Sequence, residues 1–85
     1  MSITVRYFAS VRERLGAQES LELAELASPT VGALLTWLQA RSAEHARVLD
    51  VDRGLRMACN QALCDADEPL SDGDEVAFFP PVTGG

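Results

Sequence analysis

The residues best suited to chemistry come at the end of the chain: Pro80-Pro81-Val82-Thr83-Gly84-Gly85. Neither proline has an N–H to donate, so the pair cannot continue a sheet. It holds the backbone stiff and extended instead. Gly84 and Gly85 have no Cβ, so backbone can approach backbone closely there. Six residues at about 3.3–3.6 Å each reach roughly 20 Å from a folded body. The expectation is an extended tail over 80–85 with the Gly85 carboxylate as its reacting group. Pro80, Pro81, Val82, Thr83 and Gly84 form the stalk that enters a narrow channel in another protein.

Little else in the sequence offers a catalytic group. All seven basic residues are Arg, so no lysine can serve as Schiff base, general base or isopeptide acceptor. His45 is the single histidine, which removes multi-histidine metal sites and argues against a Ser-His-Asp triad. Cys59 and Cys64 are too few and too close for a disulfide framework, and they read as inert thiols with Cys59 in the core. Asp65, Asp67, Glu68, Asp72, Asp74 and Glu75 lack the order of a calcium loop and read as a solvated turn face. No metal site and no bound cofactor are expected.

Eighty-five residues make one domain with one modest core. The net charge of −6 lacks the basic face that phosphate neutralisation needs, so nucleic acid is not an expected partner. No apolar run approaches a membrane span, and the first residues lack the order of a signal peptide. The expected location is the cytoplasm.

The elements that must position the tail follow from periodicity. Residues 2–8 alternate, with Ile3, Val5 and Tyr7 facing the core and Arg6 and Phe8 facing out. Ser10 to Glu13 has the form of a capping box opening a short helix, which Gly16 ends. Glu19 to Leu26 alternates again through Leu21 and Leu23, as a second strand. Thr30 caps a helix in which Val31, Leu34, Leu35 and Leu38 make one apolar stripe, running to about Arg41. Trp37 beside that stripe belongs at the helix–sheet boundary. Ser42 to Gly54 reads as a helical turn or loop, with His45 exposed. Strands follow over Leu55 to Asn60 and Ala62 to Cys64, joined by a tight turn at Asn60-Gln61. The last strand is Glu75 to Phe79. Val76 and Phe78 then join the core, while Phe79 lies on the open face with Phe8 and Leu63. These three, with Arg6 at the rim, form the expected partner interface.

Two strands, a helix and further strands make an α+β fold, a mixed sheet with one long helix packed across it. If the first and last strands are both central, they lie side by side and parallel. That is a β-grasp, or ubiquitin-like, roll, with a domain over 1–79 and the tail over 80–85.

The segment Asp72-Gly-Asp-Glu-Val-Ala-Phe-Phe-Pro-Pro-Val-Thr-Gly-Gly85 resembles the C-terminus of the ThiS/MoaD family, in particular the small subunits of molybdopterin synthase. Val5-Arg-Tyr-Phe-Ala9, Val11-Arg12-Glu13 and Asn60-Gln61 are similar to that family too, and the likeness spans essentially the whole chain. The resemblance implies a sulfur carrier. Its terminal glycine carboxylate is adenylated with MgATP by a MoeB-like activating enzyme and converted to a thiocarboxylate. It then donates sulfur to cyclic pyranopterin monophosphate inside a MoaE-like large subunit, in a heterotetramer of two small and two large subunits. Active-site residues are then expected on the large subunit. Two other readings stay open: a carrier for another sulfur-containing product such as thiamine, and a ubiquitin-like modifier joined through Gly85 to target lysines.

Overall fold

Strand β1 (Ser2–Tyr7) opens the chain, and its alternation of exposed and buried residues sets the rest. In this computed structural model, which describes residues 1–81, Ile3, Val5 and Tyr7 are buried on the helical side of a five-stranded sheet. The other elements are α1 (Ala9–Leu15), β2 (Gln18–Glu22), α2 (Val31–Gln39), α3 (Ala43–Val48), β3 (Arg56–Cys59), β4 (Ala62–Leu63) and β5 (Glu75–Phe79). The strand order is β2-β1-β5-β3-β4, and β1 and β5 run parallel at the centre with Val5 opposite Val76 and Tyr7 opposite Phe78. This is the expected β-grasp.

The core lies between that sheet and α2. Val31, Leu34, Leu35 and Leu38 are all buried, as their spacing predicts. Thr30 caps α2, its hydroxyl accepting the Ala33 N–H at 3.1 Å. The N–H groups of Val31 and Gly32 donate to the carbonyls of Glu68 and Ala66, so the 65–70 loop is fastened over the start of this helix. Across the sheet Tyr7 and Phe78 stack with ring centroids 6.3 Å apart. Such a pair contributes about 0.5–1.5 kcal/mol beyond its buried area.

Four expectations change. Helix α1 starts at Ala9, with Phe8 rather than Ser10 at its cap. The Phe8 carbonyl accepts the N–H groups of Val11 and Arg12, which leaves Ser10 inside the helix and no side-chain cap. The second strand stops at Glu22: Leu23 N–H makes one more bond in the β1–β2 register, to the Met1 carbonyl, and Leu23–Glu25 then forms a turn of 3₁₀ helix closed by the Leu26 N–H donating to the Leu23 carbonyl. The principal helix has nine residues, so the "long helix" is short, and α1 and α3 share its side of the core. His45 is half-buried rather than exposed, in α3, with its Nδ1 2.8 Å from the Ser42 hydroxyl.

The acidic turn is also more than a solvated face. Asp72 accepts the Ser2 N–H, Asp65 accepts the Asp67 N–H, and Asp74 accepts those of Ser71 and the Asn60 side chain.

Candidate functional site

Two structures meet at the end of β5: a groove on the open face of the sheet and the root of the tail. The groove follows from strand pairing. Arg6 is opposite Ala77, Ala77 is opposite Ala58, and Ala58 is opposite Leu63, so these four side chains lie in one row across β1, β5, β3 and β4. Two alanines make a low floor. Phe8 and Phe79 stand at the end nearest the tail, with Leu63 at the sheet edge and Gln61 and Glu75 completing the lining. Leu63 is 65% exposed and Phe8 38% exposed, while Phe79 is half-buried. Large apolar groups standing out around a shallow floor are the form of a protein-docking surface.

Arg6 lies on the same face. Its guanidinium carbon sits 5.2 Å from the centre of the Phe8 ring, and Nη1 is 3.7 Å from Glu75 Oε2. Its Nε is buried without a hydrogen-bond partner among the described residues. A buried donor left unpaired is costly. Arg6, Phe8, Leu63 and Phe79, the four residues named from the sequence, line this one groove. Ala58, Ala77, Gln61 and Glu75 were not anticipated, although strand alternation alone placed the two alanines on this face.

The Asn60-Gln61 turn sets the position of Leu63. Both residues have positive φ, 51° and 72°, the form of a two-residue hairpin turn. The Asn60 side chain receives the Glu75 N–H at 3.1 Å and donates to Asp74 at 3.1 Å, which locks the β3–β4 hairpin to the start of β5.

Beyond Phe79 the chain enters Pro80 and Pro81, which border a cleft with Val11, Arg14, Arg47 and Arg53. Pro81 lies against Gly54. Val82, Thr83, Gly84 and Gly85, the stalk and the reacting end predicted from sequence, lie outside the described residues.

The thiols stand apart from this chemistry. Cys59 is buried on the core side, and Cys64 is half-buried. Burial, reinforced by neighbouring charge, raises both, and pushes Cys64 up to about 11. Neither is poised as a thiolate nucleophile. Among the described residues no three His, Cys, Asp or Glu side chains converge as metal ligands would. Nor, among them, is any helix long and apolar enough to cross a membrane.

Comparison with known proteins agrees with this geometry. The chain is 49% identical to the molybdopterin synthase sulfur carrier subunit of Escherichia coli, over 98% of this chain and 99% of that one. Its fold is similar to that of SAMP1 from Haloferax volcanii, with a TM-score of 0.77 and 27% identity over 100% of both chains. It is also similar to a chain in the complex of subunits 1 and 2 of the molybdopterin-converting factor from Helicobacter pylori, with a TM-score of 0.67 and 26% identity over 100% of both chains. The pattern of the ThiS family matches residues 5–85, from the middle of β1 to the final glycine. On that match and that identity, the chain belongs to the ThiS family.

Proposed function

We propose that this chain is the sulfur carrier subunit of a molybdopterin synthase. One observation carries the reading: β5 supplies Ala77 and Phe79 to the docking groove and then runs directly into Pro80-Pro81, so the recognition face and the reacting arm share one strand. A partner that grips the groove thereby receives the tail at a fixed starting point.

The Gly85 carboxylate is a poor electrophile. In a MoeB-like enzyme it attacks the α-phosphate of MgATP, pyrophosphate leaves, and an acyl adenylate forms. A persulfide sulfur attacks the acyl carbon and AMP leaves. A thiol then cleaves the S–S bond, and the chain is left as a thiocarboxylate. This anion is soft and nucleophilic, and the tether holds it as a positioned reactant rather than as free sulfide. Inside a MoaE-like large subunit it transfers sulfur to cyclic pyranopterin monophosphate, and two transfers build the dithiolene. The reading includes an assembly of two small and two large subunits. The groove's apolar rim suits the large-subunit contact.

Reconstitution with a large subunit and an activating enzyme tests this. The full chain is expected to form molybdopterin. Deletion of Gly85 is expected to abolish the product while the fold and the partner affinity stay intact. Product at the full-length rate from the shortened chain would overturn the proposal.

The likeness to SAMP1, a small archaeal modifier protein by name, favours a second reading, a modifier joined through Gly85 to other proteins. High-mass covalent adducts in cells would support it.

A further inference from the structure

The tail's root rests on a specific seat. Arg56 is opposite Phe79 in the antiparallel β3–β5 pair. Two steps outward along both strands bring Gly54 opposite Pro81. No ladder hydrogen bond from Pro81 can hold the chains together there, because proline has no N–H. What holds Pro81 is contact: a Cβ placed on Gly54 would lie 3.0 Å from Pro81 Cγ, 3.3 Å from its Cβ and 3.6 Å from its Cδ.

Gly54 is itself held firmly. It ends the 3₁₀ turn Val51–Arg53 in the left-handed region at φ 93°, with its N–H donating to the Val51 carbonyl at 3.0 Å. The Asp50 carboxylate accepts the Asp52 N–H at 2.9 Å, and the Asp50 carbonyl accepts from Arg53. The seat is therefore stiff, and the prolyl ring that meets it is a closed ring with little freedom to yield.

We infer that Gly54 is a positioning residue for the tail: its missing side chain lets Pro81 lie flat against the 50–54 turn and so sets the direction in which the arm leaves the domain. The consequence for sulfur transfer rests on the carrier reading; the seat itself does not. A side chain at 54 pushes the Pro81 ring away by a few tenths of an ångström and so re-aims the root from which the arm departs. Reacting atoms must come within about 3–3.5 Å in alignment, and a misplacement of about 1 Å can cost about 100-fold in rate.

The test compares Gly54→Asn with Gly73→Asn. Asparagine tolerates left-handed backbone better than other residues with a Cβ, so both variants should fold. Gly73 has φ 87° but open space around its Cβ position, and it lies at the far end of β5. Gly54→Asn is expected to lower the turnover of the charged carrier in the reconstituted synthase by at least about tenfold. Its affinity for the large subunit should stay within about twofold, while Gly73→Asn changes neither. In a Pro81→Gly background, where the ring is gone, Gly54→Asn should cost less than about threefold. An equal loss in both backgrounds, or a Gly54→Asn loss no greater than that of Gly73→Asn, overturns the inference. In the wild-type protein, a nuclear Overhauser contact between Gly54 Hα and the Pro81 ring is expected, and its absence also overturns it. That contact is read without turnover, so it stands apart from any failure of the full-length chain to make molybdopterin, which would sink the carrier reading instead.

Discussion

Asn60 Nδ2 donates to Asp74 Oδ1 at 3.1 Å, tying the β3–β4 turn to the residue just before β5. The other oxygen of Asp74 accepts the Ser71 N–H at 2.8 Å, so one carboxylate closes two turns. These bonds hold the Asp74 carboxyl below the usual carboxylate range, the Asn60 bond first. Because the folded carboxyl is the stronger acid, this contribution is present above about pH 4 and is lost as pH falls below it. Asn60→Ala should return the Asp74 titration, followed by NMR, towards the ordinary value. It should also cost about 1–2 kcal/mol in urea unfolding, through the lost bonds and the left-handed backbone that alanine disfavours.

Leu63 offers the cleanest test of the groove. It is the most exposed apolar side chain there, so its removal leaves the core alone. Leu63→Asp should weaken large-subunit binding by at least about 30-fold, equivalent to about 2 kcal/mol, by putting a charge where an apolar contact is made. Thermal unfolding should move little. Phe79→Arg should also weaken binding, but because Phe79 is half-buried it should lower stability as well.

Tyr7 gives the fold an alkaline limit. Its hydroxyl donates to Glu19 Oε2 at 2.8 Å, Glu19 also pairs with Arg41, and Arg41 lies over the Trp37 ring at 5.1 Å. Burial first, and the Glu19 bond second, raise the Tyr7 pKa well above its usual value. The unfolded chain releases this proton near pH 10 while the folded chain keeps it, so stability falls as pH rises past about 10. Urea unfolding between about pH 8 and 11 should show that decline. In Tyr7→Phe the same curve should be flatter.

The cysteines should be slow and dispensable. With Cys64 held up to about 11, its alkylation by iodoacetamide at neutral pH should be more than about tenfold slower than that of free cysteine. Cys64→Ser should transfer sulfur at the unaltered rate. A large loss would place sulfur on the side chain rather than on the main-chain end.

The sheet was legible in the sequence because its alternation is strong. Ile3, Val5, Tyr7, Val76 and Phe78 fell on one face, and that alone put Arg6, Phe8 and Phe79 on the other. What escaped was decided by contacts distant in sequence. Leu23 keeps the alternation of a strand, yet its N–H makes the last bond to β1's side, at the Met1 carbonyl, and its own carbonyl turns to accept the Leu26 N–H. Ser10 has the chemistry of a cap, yet the end of β1 delivers the Phe8 carbonyl to that place first. Gly54 reads as an ordinary turn glycine until β5 brings Pro81 beside it. Ala58 and Ala77 carry no chemical signal, and their role is to be small where neighbours are large.

The strand that presents the arm is also the keystone of the sheet. β5 lies between β1 and β3, and Thr4 meets Glu75 only after nearly the whole chain has been made. A half-finished or unravelled copy has neither an assembled recognition face nor a fixed point from which the final glycines depart. Any partner that reads that face therefore accepts only copies whose architecture is complete, and the domain acts as its own certificate of integrity.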